Sequence, residues 1–380
     1  MSTADRPNAH APAESIAAAC RSAGFVRLTA TADGDALAAL GQLGAALRAV
    51  GVPFQASVRR VPTAEDVTST DADATVVFGA APADATVSVT DGPLAATAFD
   101  AARELGGEPD PMLSVAGSIA GGFIPGGDGP FYDAVESRTE RRPGIATPVP
   151  DSTDGLAHTT LVHAAFSGSE TAVDDALDAV SAPDGASAEA DDDRRRLASL
   201  VALRAVEGAP DRAAEHVERA LRPYVGGPLE TLGGFADVLD ACSRVAPGTG
   251  VAFAIEAARA DADGDLGHAS DALDAWREHG RTTHARLREA TTARHGGLFV
   301  VHAGEDAPLG TVARLAYCFR SPEPLVLAIG GDAAALYGDR AAEVARAAAT
   351  DAGTATGRST TGYIDGIDAE TAEREVRAAI

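Results

Sequence analysis

Two hydrophobic periods alternate along residues 25–120, and that alternation leaves few folds open. Phe25-Val26-Arg27-Leu28-Thr29-Ala30 is a run of strand length and strand composition, closed by a turn at Asp33-Gly34-Asp35. Leu37, Leu40, Leu43, Leu47 and Val50 then recur three to four residues apart, the period of a helix buried on one face, and Gly51 supplies its stop. Strand patterns return at Phe54–Val58, Ala74–Phe78 and Ala85–Val89, and helical ones at Leu94–Leu105 and Met112–Ile119. Strands separated by helices pair in parallel, so this part reads as an α/β lobe with a mostly parallel sheet.

Residues 1–13 are polar and contain proline, a composition expected to fray. The Gly- and Pro-rich stretch Gly121–Gly129 breaks the alternation, and the middle of the chain is helical in pattern. Helices are expected at His158–Ala165, Thr171–Val180, Leu197–Val206, Arg212–Tyr224, Leu229–Cys242, Val251–Arg259 and, as one long element, Ser270–Ala293, with a loop over Ser181–Arg196. Alternation resumes with strand Leu298–His302, a helix or strand near Thr311–Phe319, strand Leu325–Gly330, helix Arg340–Asp351 and strand Thr361–Ile364. A final helix has Asp368 as its N-cap. The expected division is a disordered tail (1–16), an α/β lobe (17–150), a helical connector (151–295) and a smaller C-terminal α/β lobe (296–380).

Charge bears on habitat more than on ligands. All 31 basic residues are arginine and 56 residues are acidic, for a net charge of −25. Such a surface ordinarily argues against nucleic acid, because phosphate binding draws on clustered cations. Abundant aspartate without lysine instead fits a protein kept soluble in molar salt, where the Debye length falls to ~3 Å and long-range repulsion fades. Cys20, Cys242 and Cys318 are too scattered for a disulfide framework or a zinc knuckle, as expected in a reducing cytoplasm. No apolar run approaches the ~18 residues of a membrane span, and no basic-then-apolar leader opens the chain, so no membrane partner is expected.

Candidate chemistry begins at the first strand-to-helix turn, Thr29-Ala30-Thr31-Ala32-Asp33-Gly34-Asp35, because parallel sheets present sites at the carboxyl ends of their strands. This turn resembles the opening His-x-Asp-Ala-Asp-Gly motif of the DHH phosphoesterases, and among them the archaeal RecJ-like proteins. Thr97–Gly106 is similar to the helix after that family's Asp-His-His motif, and Ser114–Gly121 to its fourth motif. Gly155–His163 resembles the connector of the RecJ-like proteins, and Ala355–Gly362 falls where the second lobe carries Gly-Gly-His-x-x-Ala-Ala-Gly. The resemblance runs from Ala17 to Ile380 and implies a DHH-like lobe, a connector and a DHHA1-like lobe.

The family cleaves phosphodiesters with two divalent cations, Mn²⁺ or Mg²⁺, held ~3.5–4 Å apart by carboxylates and imidazoles. Overlaid on it, Thr29 and Thr31 stand at the first histidine and aspartate, while Asp33 and Gly34 are retained. Val77-Phe78-Gly79-Ala80 lacks the second-motif aspartate, and Thr90-Asp91-Gly92-Pro93 stands for Asp-His-His. Ala120-Gly121-Gly122 lacks the fourth-motif aspartate, and Gly357 stands where the C-terminal histidine is expected. The vestigial metal ligands are Asp33 and Asp91, each also readable as a turn residue, while Asp35 reads as N-cap of the helix that follows it. His158 and His163 lie five apart, off a common helical face, and read as packing or hydrogen-bonding groups.

Arg277, Arg281, Arg286, Arg288 and Arg294 stand out against the acidic background, and Arg281, Arg286, Arg288, Arg358 and Gly362 are the candidate nucleic-acid contacts. The same run also fits a solvated helix face. The resemblance implies either a degenerate homologue that binds single-stranded nucleic acid or replisome proteins such as GINS, or an active Mn²⁺-dependent exonuclease. The inactive DHH member of the eukaryotic helicase is the precedent for the first.

Overall fold

A computed structural model describes residues 10–68, 71–123, 135–136, 138–178, 190–259, 266–349 and 353–380. Parts of the expected glycine-rich loop (124–129), the Ser181–Arg196 loop (181–189) and the frayed tail (1–9) lie outside these. The contacts form two units, Met1–Arg138 with Cys242–Ala272 and Thr139–Ala241 with Leu273–Ile380. This differs from the four-part division, because residues 242–272 of the expected connector pack with the first unit.

The first unit opens with helix α1 (His10–Ser22), whose Ile16 is fully buried, so the tail expected over 1–16 ends earlier. Strands β1 (Val26–Thr31), β2 (Phe54–Arg59), β3 (Ala74–Phe78) and β4 (Val87–Val89) form an all-parallel sheet in the order β2-β1-β3-β4. Helix α2 (Gly34–Ala49) carries the chain from β1 to β2, and α3 (Ala64–Thr68) lies between β2 and β3. Helices α4 (Leu94–Glu104) and α5 (Pro111–Ala120) follow β4. From β1 the chain turns first to one neighbour and then to the other, so the switch point lies between β1 and β3, the place where open parallel sheets bind ligands. The leucine stripe of α2 is buried as its spacing requires, and a later helix, Pro247–Ala257, lies so close that a Cβ on Gly41 would stand 2.6 Å from that of Ala254.

In the second unit a short β5 (Glu140–Arg141) pairs with β6 (Tyr224–Val225). Helices α6 (Ser152–His158), α7 (Glu170–Asp178), α8 (Ala190–Val206) and α9 (Arg212–Ala220) follow, then α10 (Leu232–Val245). The chain enters the first unit within α10, forms Pro247–Ala257 (α11) there, and returns within α12 (Ala269–Glu289). The helix expected over His158–Ala165 is absent. Asp151 caps α6 by accepting from Asp154 N at 2.9 Å, the helix ends at His158, and residues 159–168 run irregularly.

The long helix expected to Ala293 stops at Glu289, and Arg294 lies on strand β7 (Thr291–His295). With β8 (Leu298–His302), β9 (Leu325–Gly330), β10 (Ala333–Gly338), β11 (Thr354–Arg358) and β12 (Thr361–Asp365) it makes a sheet ordered β11-β12-β10-β9-β8-β7. Only β8 and β9 pair in parallel there. Strand alternation gives the sheet two apolar faces: Leu325, Leu327 and Ile329 join one core, Val326 and Ala328 the other. Helix α13 (Leu309–Phe319), which resolves the helix-or-strand alternative, contributes to the second core, while α14 (Ala341–Ala348) and α15 (Ala369–Ala379) contribute to the first. Asp368 caps α15 as expected, accepting from Thr371 N at 3.0 Å.

Candidate functional site

Thr31, Phe78 and Val89 end adjacent parallel strands at one edge of the first sheet, so Asp33, Gly79 and Asp91 all follow the same edge. Asp33 is the N-cap of α2: its Oδ1 accepts from Ala36 N at 2.9 Å, and its other oxygen accepts from the Thr31 hydroxyl. Asp35 does not cap its own helix, contrary to the expectation. It is fully buried, and its two carboxylate oxygens accept from Leu94 N at 3.0 Å and Ala95 N at 2.9 Å, the first amides of α4. Pro93 precedes α4 and offers it no side-chain cap, so Asp35 satisfies from 59 residues away the orphan donors that every helix start leaves.

The edge is tightly closed around these groups. Gly79 has φ +94°, and a Cβ on it would stand 1.9 Å from the Thr31 hydroxyl oxygen. A Cβ on Gly121 would stand 2.9 Å from Asp35 Oδ2. Thr29 is buried, with its hydroxyl 3.5 Å from that of Ser57. Asp91 is exposed at the foot of α4 and accepts from the Thr90 hydroxyl at 2.9 Å. Among the described residues no group of three or more His, Cys, Asp or Glu ligand atoms gathers at this edge. Such a group is formed only by Asp154, His158 and Glu170 in the second unit.

There Asp154 already has its counter-ion. Arg277 donates to it through Nε and Nη2, at 3.1 and 2.9 Å, and His158 Nδ1 lies 2.9 Å from Asp154 Oδ1. Burial raises the Asp154 pKa, but the hydrogen bonds and charge of Arg277 outweigh it and hold the carboxyl below its usual value. Arg281 pairs with Glu278, Arg288 donates to the Ser167 carbonyl and Arg294 pairs with Glu323, so much of the basic run is spent within the unit. The Arg286 guanidinium lies beside Gly304. Arg358 ends β11, and Gly362 is buried on β12, where a Cβ would stand 2.5 Å from the Ala341 carbonyl oxygen of α14.

A buried polar cluster of the second unit has no counterpart among the sequence expectations. Asp237 on α10 is buried and accepts from Thr159 Oγ1 (3.0 Å), Thr160 N (3.0 Å), Thr160 Oγ1 (2.5 Å) and Trp276 Nε1 (2.8 Å). Burial raises its pKa against the pull of these donors. Arg314 donates to Thr160 O at 3.1 Å and to Thr160 Oγ1 at 2.9 Å. The available signal was an aspartate inside the apolar stripe Leu232, Phe235, Ala236, Val238, Leu239, since a buried acid needs donors. His163 and His284 form a second cluster, their Nδ1 atoms 3.0 Å apart and their ring planes within 17° of parallel.

Comparison with known proteins places the chain in a lineage. The uncharacterized protein rrnAC1427 of Haloarcula marismortui is 45% identical over 346 residues, which is 89% of this chain and 88% of that protein. The chain belongs to the rrnAC1427 family. The model of that family's C-terminal domain matches residues 290–380, the second sheet with its helices. Among solved structures, RecJ from Thermus thermophilus in complex with Mn²⁺ aligns with a TM-score of 0.51 and 16% identity over 97% of this chain. The chain spans about half of RecJ, 54% of its length. CDC45 from Entamoeba histolytica aligns with a TM-score of 0.51 and 9% identity, covering 93% of this chain and 95% of CDC45. The fold is RecJ-like. No helix among the described residues is long and apolar enough to cross a membrane.

Proposed function

We propose that the rrnAC1427-family chain is a RecJ-like homologue that has lost the nuclease, and that it serves DNA replication or repair as an accessory protein of a salt-adapted cytoplasm. The observation that carries this reading is the use made of Asp35. The carboxylate closest in sequence to the retained Asp33 is fully committed to two backbone amides of α4. That leaves Asp33, itself an N-cap, and the exposed Asp91. Two divalent cations a few ångströms apart need several anionic or imidazole ligands to offset their mutual repulsion. The donor set at this edge does not fit such a pair, and no catalytic step is derived through it.

The RecJ-like fold supports kinship with nucleic-acid enzymes, and the likeness to CDC45 over nearly its whole length supports a replisome setting, with GINS-like proteins and single-stranded DNA or RNA as the partners to test. Arg286 is the first candidate for phosphate contact; Arg281, Arg288 and Arg358 would have to exchange partners they already hold. The deciding experiment incubates the full chain with labelled single-stranded DNA, RNA and dinucleotides, in molar salt with Mn²⁺, beside its Asp33→Ala variant. No hydrolysis by either is expected. Robust hydrolysis by the unmodified chain, abolished in the variant, would establish the alternative, an active Mn²⁺-dependent exonuclease.

A further inference from the structure

The irregular segment 159–168 is tied to α12 through a pair of histidines whose protons have only one consistent arrangement. His284 Nε2 lies 3.0 Å from the Thr159 carbonyl oxygen, which can only accept, so that nitrogen carries a proton. In the neutral ring His284 Nδ1 is then an acceptor. His163 Nδ1, 3.0 Å away, must be the donor to it. His163 Nε2 is left as an acceptor, and it faces Arg320 Nη2 at 3.4 Å, a guanidinium nitrogen that can only donate. The relay therefore runs Arg320 to His163 to His284 to Thr159 O, and every member is satisfied only while both rings are neutral. One further proton sets N–H against N–H, either between the rings or in front of Arg320.

The surroundings oppose that proton from every packed element. Arg288 on α12, Arg314 on α13 and Arg320 just after α13 are positive, and His158 at the end of α6 adds to the same side. His216 on α9 reaches the pair only through Phe319, which lies against both His216 and His163. Asp237 is already occupied by Thr159, Thr160 and Trp276, and Asp154, beside His158, is occupied by Arg277. Neither histidine is exposed by more than 8%. Burial first, and then the neighbouring positive charges, lower His163 to about 2; burial likewise lowers His284 to about 4 against the opposing bond to Thr159.

We propose that the His163–His284 pair is an acid-released latch: it holds segment 159–168 against α12 at neutral pH and frees it when either ring takes up a proton. This goes beyond the reading of the first unit and does not rest on it. Opening exposes the histidines to water, where they titrate near 6.5, so the open population grows about tenfold for each pH unit lost below that value per proton taken up. Opening parts Arg288 of α12 from the Ser167 carbonyl and lifts Gly168 from its seat beside the His284 Cβ.

Hydrogen exchange of the full chain in molar KCl, followed by mass spectrometry of peptides covering 159–168, tests this. After correction for intrinsic exchange, protection of these amides should fall at least tenfold between pH 6 and pH 5 and should stay well below that of peptides from β9 and β10, which are exposed only by global unfolding. His163→Asn keeps a donor near Nδ1 but cannot titrate, and it should cut the pH dependence to the single proton left at His284, no more than about tenfold per unit; His216→Gln should leave the full dependence in place. Unchanged protection of 159–168 in the unmodified chain overturns the proposal whether or not the variants fold. So does protection of 159–168 that equals that of β9 and β10 at every pH, which would mean that the segment opens only by global unfolding, or a pH dependence undiminished by His163→Asn.

Discussion

Replacing Asp35 by alanine should destabilise the first unit far more than replacing Asp33, although the two residues are neighbours in one turn. Asp33→Ala removes an N-cap of α2, ordinarily worth ~1 kcal/mol. Asp35→Ala removes two charge-assisted bonds and leaves Leu94 N and Ala95 N buried without an acceptor. Bonds to a charged group contribute ~1.5–3 kcal/mol each, so the loss of two is about 3–6 kcal/mol. For a unit of this size each kcal/mol moves Tm by roughly 2–4 °C, which makes the expected fall on the order of 10 °C. Asp35→Asn, which keeps one acceptor oxygen, should lose about half as much. Calorimetry in molar KCl reads all three variants. If Asp35→Ala costs no more than Asp33→Ala, the α4 amides are satisfied some other way and the reasoning about the closed edge fails.

Gly79→Ala should cost about 3 kcal/mol by chemical denaturation, from its left-handed backbone and the Thr31 hydroxyl in the way, whereas Gly51→Ala, at φ +75° with open space around it, should cost only ~1 kcal/mol. Equal costs would mean that Thr31 yields readily. Global stability should decline on acidification below about pH 6.5: the folded chain refuses protons at His163 and His284 that the unfolded chain accepts, so each contributes a slope of ~1.4 kcal/mol per unit, for His284 down to about pH 4. A denaturation midpoint flat from pH 7 to pH 5 would contradict the neutral relay. The chain should also lose structure when salt is lowered from molar to ~0.1 M, because its 56 acidic groups then repel at longer range. A thermal melt identical at both concentrations would refute the salt adaptation.

The β1–α2 element was legible because both of its periods are strong and local: a strand-length run, then leucines three to four apart, all buried as expected. Asp368 was legible as a cap for the same reason, since its partner lies three residues on. Asp35 was not. Local sequence offers it a helix to start, and the donors it serves lie 59 residues away on α4. Strand β10 has the same difficulty. Ala333-Ala334-Ala335-Leu336 has little strand propensity of its own and becomes a strand because β9 and β12 bond it from both sides. The end of α12 misled for another reason: arginines continue through Arg294 at helical spacing, but the chain breaks after Glu289 so that β7 can pair with β8. At the candidate site the missing ligands could be counted from the sequence, whereas the closure around Thr31 and Asp35 needed coordinates.

The first unit is built from two stretches of chain, and that fixes an order of events on the ribosome. Its last helix, Pro247–Ala257, packs on α2 at Gly41 and Gly44, with Gly250 against Leu37. About a hundred residues, 139–241, are made between the two stretches, on the order of ten seconds of synthesis. Through that interval the apolar seat on α2 waits uncovered, while the intervening segment already has partners of its own to find. A gene cut after residue 138 would give a product that cannot finish itself, and because the second unit is split in the same way, between Thr139–Ala241 and Leu273–Ile380, the two units interleave along the chain and neither is the first half of the protein.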